Sequence, residues 1–532
     1  MGRIDRPIGG ASPSGVLIVP PLGYEYWSSH AALRELATRL SAQGHIVLRL
    51  DFTGTGDSTG DLEDVDSLAI WRTDILAGAE TMRRLGASTI TLVGLRLGAS
   101  LALAVADDAS ADKVVAWVPI QSGRRYVKEV HLLSQDAPEG VTLGGPGARF
   151  FAGSVFRRAL MDDLAALSLA SVVTRGRVLI IDRNDRKSND ELVDHLRCAG
   201  TIVDQAALPG TDQILDLPTE YATSPVEVID RIVDWIGTPE QTDAIVPHDE
   251  MPGPLDMDWH GTRILEQQRE LGPDRLVGIE SRPVETVDPS GTTVVFLNSG
   301  SEHHIGSGRV WVEFSRRLAA DGHVGLRTDF RGWGESSDRN YSPGRPYDRH
   351  TIDDVREITR AVRNYSNGPI VLVGLCASAW VALRRCGDLD IDGIVAFNPQ
   401  LYWRPGDPVE ASMAETRQRR LGEIARIKRL RRRAVWTMLD CLRIRSAEGR
   451  WLTRIGQSRY PIDFWFAKDD DGIEFLRDRL GRRLQAVVRR GTLTINEFFE
   501  LDHSMHRNWD RDEAYDALIG MITRINASTT TS

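Results

Sequence analysis

Cys376 lies in the run Ile370-Val371-Leu372-Val373-Gly374-Leu375-Cys376-Ala377-Ser378, an apolar stretch ending in small-x-Cys-x-small. A strand that turns this sharply into a helix lifts its central side chain clear of the turn, and only small neighbours fit the corner. Gly374 and Ser378 meet that need. A helix starting near Ala377 aims its positive end at the sulfur and favours thiolate over thiol. The chemistry predicted is attack on an acyl carbon. The backbone N–H of Ala377 would hold the oxyanion, with a second donor from Asn298-Ser299-Gly300-Ser301, taken at Ser299.

A thiol nucleophile needs a base, and the base an acid that orients it. Thr494 to Phe499 reads as a late strand, and Leu501-Asp502-His503-Ser504 follows it. His503 is the predicted base, with His506 one helical turn on as the alternative. Phe464-Trp465-Phe466-Ala467 reads as the preceding strand and runs into Lys468-Asp469-Asp470-Asp471-Gly472. Asp470 is chosen as the acid, while Asp469 and Asp471 stay open. The order nucleophile, acid, base is the one an elbow of this kind requires. Cys386 reads instead as a small core residue.

The elements that must position these groups occur twice. Ser41-Ala42-Gln43-Gly44-His45 leads through an apolar run to Asp51-Phe52-Thr53-Gly54-Thr55-Gly56-Asp57-Ser58. Ala319-Ala320-Asp321-Gly322-His323 leads likewise to Asp329-Phe330-Arg331-Gly332-Trp333-Gly334-Glu335-Ser336. Ile90-Thr91-Leu92-Val93-Gly94-Leu95-Arg96-Leu97-Gly98 matches the run around Cys376 at nearly the same offset. Two motifs keeping their spacing predict a tandem duplication of units of roughly 240 residues, each the size of one α/β domain.

Both halves alternate β-branched runs with helical stretches, the pattern of a mostly parallel sheet covered on both faces. Expected strands are Val16 to Val19, Ile46 to Leu50, Ile90 to Val93, Val114 to Val118 and Val178 to Ile181. In the second half they are Thr293 to Leu297, Val324 to Thr328, Ile370 to Val373, Ile394 to Phe397 and Ile462 to Ala467. The expected division is a first domain over 1–237, a proline-rich acidic linker over 238–272 and a second domain over 273–532.

The first copy reads as inactive. Arg96 stands where the nucleophile should be and stays protonated. An acid is expected to survive in Ile181-Asp182-Arg183-Asn184-Asp185, but Leu208-Pro209-Gly210-Thr211-Asp212-Gln213 offers Gln213 in place of a base. A structural or docking role is the plain reading. The sharper one is that Arg96, among inward-pointing amides, binds a carboxylate or phosphate.

Pro20-Pro21-Leu22-Gly23, the Asp51 to Ser58 motif and the two elbows resemble the α/β-hydrolase superfamily. Both copies look most like exosortase-system-associated hydrolases and serine aminopeptidase-like members. The resemblance implies two tandem α/β-hydrolase domains and acyl chemistry by a nucleophile–His–acid triad, mapping onto Cys376, His503 and Asp470. Cysteine in place of the usual serine turns the expectation from plain ester hydrolysis toward thioester exchange and acyl transfer. Members of the superfamily insert a lid where this chain carries some sixty residues, at about 400–458. Glu410 to Leu442 there is helical in period and dense in arginine. It reads as a solvated face, or as a dock for an acyl-carrier protein or coenzyme A.

The chain has 532 residues, a formal net charge of −10 and 26% charged residues, which argues against a general nucleic-acid binder. Its apolar runs break before the ~18 residues a membrane span needs, and the residues from Met1 to Pro7 lead us to expect no secretory leader. Four cysteines form no disulfide framework and no CxxC metal spacing, so a reducing cytoplasm is expected, with no cofactor and no metal. The expectation is a cysteine-dependent acyltransferase or thioesterase acting on a small acyl substrate. The alternative is a non-catalytic double-domain scaffold that binds a carrier protein or small ligand.

Overall fold

The computed structural model describes residues 1–7, 13–134, 142–151, 153–217, 219–239, 253–284, 291–300, 302–336, 349–384, 386–399, 452–468, 470–498, 500–506, 509 and 511–529. Two compact units result, Met1–Pro252 and Gly253–Ser532.

The β-branched runs fold as strands because both their faces are apolar. In the first unit these are β1 (Gly2–Asp5), β2 (Ser14–Val19), β3 (Ile46–Leu50), β4 (Thr89–Leu95) and β5 (Lys113–Trp117). A short hairpin of β6 (Arg149–Phe151) and β7 (Ser154–Phe156) stands apart, and β8 (Arg177–Arg183) and β9 (Val203–Leu208) complete the sheet. Its order is β1-β3-β2-β4-β5-β8-β9, parallel except for β1.

The second unit contributes β10 (Leu255–Trp259), β11 (Thr262–Leu271), β12 (Leu276–Pro283), β13 (Thr293–Phe296) and β14 (Val324–Thr328). Four more follow: β15 (Ile370–Leu375), β16 (Gly393–Phe397), β17 (Ile462–Ala467) and β18 (Leu493–Phe498). The order is β10-β11-β12-β14-β13-β15-β16-β17-β18, antiparallel from β10 to β14 and parallel from there on. Without the antiparallel edges, both sheets read second-first-third-fourth-fifth-sixth in chain order. The two units thus share one strand order.

Alternate residues serve opposite faces. Ile370 and Leu372 pack into one core, Val371, Val373 and Leu375 into the other. In the first unit, Ile90 and Leu92 divide from Val93 and Leu95 in the same way.

One boundary differs from the expectation. The second half of the 238–272 linker is sheet, since Leu255–Trp259 and Thr262–Leu271 are paired strands. A charged residue on the buried face hid the pattern. Glu266 is 3% exposed and receives Arg316 Nε and Nη2 at 3.1 and 2.8 Å and the Ser281 hydroxyl at 2.7 Å. Arg327 Nη2 lies 3.2 Å from it. Burial alone would raise the Glu266 pKa, but Arg316 and Arg327 outweigh it and bring it down to about 2. The expected lid at 400–458 falls almost wholly outside the described residues. Among the described residues, no helix is long and apolar enough to cross a membrane.

Candidate active site

β15 is buried along its whole length and ends at an elbow. Cys376 has φ 57°, and helix Ala377–Arg384 starts immediately after it. A non-glycine residue held there is strained, and the surroundings must hold it. They do so at three points. A Cβ on Gly374 would come within 2.6 Å of the Ala379 nitrogen, so the strand and helix close only over glycine. The Ser378 hydroxyl donates to Leu375 O at 3.1 Å and accepts from Leu375 N at 3.0 Å. The Cys376 N–H donates to Phe397 O at 2.9 Å.

His503 lies five residues beyond β18, half-buried. Its Nδ1 meets Asp470 Oδ2 at 2.6 Å, and the ring hydrogen-bonds the Cys376 sulfur. Burial works against an imidazolium, but the charge interaction with Cys376 and the bonds to Asp470 and Cys376 prevail, and the pKa is pushed up to about 10. Asp470 divides its two oxygens. Oδ1 accepts from Gly472 N at 2.8 Å and caps helix Asp471–Leu480, while Oδ2 faces His503. Asp469 lies outside the described residues, as does the side chain of Asp471. His506, the alternative base, sits with Nδ1 3.5 Å from Asp502.

The oxyanion candidates follow the ends of neighbouring strands. β13 and β15 pair in parallel with Phe296 opposite Val373, and Ser299 and Cys376 each lie three residues further on. This is the point where the strand order reverses, at the carboxyl ends of the strands, where sheets of this kind bind ligands. Ala377 opens its helix, and Ser299 is buried. The loop is anchored by Asp329, which accepts from Asn298 Nδ2 at 2.9 Å, His304 N at 2.8 Å, His304 Nδ1 at 2.7 Å and Glu335 N at 2.8 Å.

Asn398 was missed in the sequence. It follows β16 with φ 44°, donates from Nδ2 to His503 O at 2.8 Å and accepts from Ala467 N at 2.9 Å. It therefore ties the base loop to the strand that carries the acid. Only a side chain with both a donor and an acceptor can make that bridge.

The first unit repeats the elbow geometry with Arg96 at its corner. Arg96 has φ 54° and donates its N–H to Trp117 O at 2.9 Å, as Cys376 does to Phe397. Its guanidinium is already engaged, Nε with Glu25 Oε1 and Nη2 with Glu129 Oε2, each at 2.8 Å. An anion bound at Arg96 would have to displace two carboxylates. Gln213 lies five residues past β9, the station His503 holds past β18, and accepts from the Thr223 hydroxyl at 2.8 Å. The loop after β8 runs six residues to helix Asp190–Cys198, against three from β17 to helix Asp471–Leu480, and the expected acids are engaged by neighbours of their own. Asp185 pairs with Arg183 at 2.7 Å, and Asp182 accepts from Gln205 Nε2 at 2.8 Å.

Residues 294–523 match the model described as the alpha/beta hydrolase family. Among solved structures, the chain is similar to Est1E from Butyrivibrio proteoclasticus with ferulic acid bound. The identity there is 16% over 44% of this chain and 93% of that one, with a TM-score of 0.35. It is also similar to the metagenome-derived lipolytic enzymes LipS and LipT, at 17% identity over 43% and 95%, TM-score 0.32. An esterase from Pyrococcus furiosus aligns at 14% identity over 52% and 99%, TM-score 0.31. No curated protein matches by sequence search.

Proposed function

From the match of residues 294–523 to the alpha/beta hydrolase family model, we propose a cysteine-dependent thioesterase or acyltransferase working through an acyl-S-Cys376 intermediate. One observation carries the reading: His503 bonds to both Cys376 and Asp470, so nucleophile, base and orienting acid form one chain.

The steps follow from those positions. The Cys376 thiolate attacks the acyl carbon, and the carbonyl π electrons move onto oxygen. The Ala377 N–H and a donor at the Ser299 loop hold that oxyanion. As the tetrahedral species collapses, the bond to the leaving group breaks and the His503 imidazolium gives it a proton. Neutral His503 then takes a proton from water, an amine or an alcohol as that acceptor attacks the acyl-S-Cys376 carbon. The second collapse returns the thiolate beside an imidazolium. Asp470 keeps Nδ1–H pointed at itself throughout, leaving Nε2 for the proton transfers. No cofactor enters.

A thioester is the favoured donor because its leaving thiolate is a match in basicity for the attacking one. Delivery by an acyl-carrier protein or coenzyme A is part of the proposal, resting on the arginines of Glu410 to Leu442, which lie outside the described residues. The scaffold reading would require Cys376 and His503 to stand apart, and their hydrogen bond speaks against it. For the first unit we assign a non-catalytic role, since Arg96 stands at the elbow and Gln213 five residues past the last strand, where the second unit has Cys376 and His503.

The test is thiol release from acyl thioesters of graded chain length, with and without an amine acceptor. Wild type is expected to turn over, with Cys376→Ala and His503→Ala reduced at least a hundredfold. Undiminished turnover by Cys376→Ala would overturn the assignment.

A further inference from the structure

Arg511 is 2% exposed, yet no step above uses it. It opens helix Arg511–Thr529, and its guanidinium reaches three separate segments. Nε donates to Met505 O at 2.9 Å, Nη2 to Gly308 O at 3.0 Å and Ser307 O at 3.4 Å, and Nη1 to Glu313 Oε2 at 2.8 Å. Met505 lies two residues past His503 and is itself held with φ 55°. Ser307 belongs to the loop that begins at Ser299: the two hydroxyls lie 3.4 Å apart, and Ser307 Oγ donates to Glu302 at 2.7 Å.

One planar, rigid fork thus joins the loop carrying the base to the loop expected to carry the oxyanion donor. A guanidinium fixes the directions of its N–H groups, which an ammonium on a flexible stem does not. Its charge is balanced by Glu313, on helix Val310–Ala320, so the contacts to loop carbonyls are not needed to neutralise it. A buried ion pair is weak as a source of stability compared with apolar packing of the same volume. What the arginine adds over a hydrophobe is geometry.

We propose that Arg511 is a positioning residue that sets the spacing between the His503 loop and the Ser299–Ser307 loop, and through it the alignment of the oxyanion donors with Cys376. The proposal rests on the acyl-S-Cys376 reading. Displacing preorganised donors from a developing oxyanion costs about 10²–10³-fold in rate, whereas alkylation of the thiolate builds no oxyanion and does not call on them.

Two readouts on the full chain therefore separate the roles. One is carbamidomethylation of Cys376 by iodoacetamide, and the other is acyl-adduct formation from N-acetylcysteamine thioesters, both followed by mass. Arg511→Lys keeps the charge and the partner Glu313 but loses the fork. Its alkylation rate and pH profile should stay within threefold of wild type, while acylation slows about a hundredfold at saturating thioester and the half-saturating concentration moves less than threefold. Ser307→Ala cuts the next link toward Ser299 and should slow acylation about tenfold, again with alkylation unchanged. It decides the matter if Arg511→Lys fails to fold. Equal slowing of alkylation and acylation, or wild-type acylation in the variant that folds, would overturn the positioning role alone. Wild type that is alkylated at Cys376 but accepts no acyl group would overturn the acyl reading, and this proposal with it.

Discussion

Glu266→Gln removes one negative charge from between two fully buried arginines while keeping the shape of the side chain. The magnitude follows from the pKa. Glu266 sits at about 2 against an ordinary 4.5, and at about 1.4 kcal/mol per unit that displacement is worth about 3 kcal/mol. Breaking a buried pair by removing one partner costs about 3–5 kcal/mol, so the two routes agree. The folded pKa is depressed, so the contribution is fully present above pH 4.5 and is lost as the pH falls through about 2. The assay is amide hydrogen exchange of peptides spanning Thr262–Leu271 in the full chain, because two units need not unfold together. At neutral pH, Glu266→Gln should exchange there about a hundredfold faster. Wild type should lose protection between pH 4.5 and 2 more steeply than the variant. Equal protection at neutral pH would refute the claim that this charge holds the β10–β12 extension to the sheet.

Three further outcomes follow from the site. Gly374→Ala places a methyl 2.6 Å from the Ala379 nitrogen, so the elbow must shift; a loss of about 1–3 kcal/mol in stability is expected on thermal unfolding, with Cys376 alkylation slowed. Asp470→Asn should keep the fold yet reduce acylation about 10²–10⁴-fold, since the imidazole loses the group that orients it. Cys376→Ala should lower the His503 pKa, read from its ring NMR signals, because the charge interaction with Cys376 and its hydrogen bond both raise it. The pKa of about 10 lies above the ordinary 6.5, so the stabilising effect of the protonated ring is complete below pH 6.5 and disappears as the pH rises through about 10.

The parallel strands were legible because burial on two faces demands continuous β-branched runs. Ile46–Leu50, Val324–Thr328 and Ile462–Ala467 stand where those runs placed them. The edge strands were not, since β1 is four residues long and β11 buries Glu266 where an apolar residue marks a strand. At the site, Gly374 and Ser378 betray the elbow because steric demand acts on neighbours in sequence. Asn398 and Arg511 left no local signal: each works by bridging segments brought together only by folding.

The most direct measurement is the intact mass of the full chain after brief exposure to a series of acyl thioesters, with peptide mapping of any adduct. A single acyl increment on Cys376 in wild type, absent from Cys376→Ala and released faster when an amine or alcohol acceptor is added, is what the account predicts. An unmodified Cys376 in a protein that still consumes the thioester, or an acyl group carried on another residue, would contradict it.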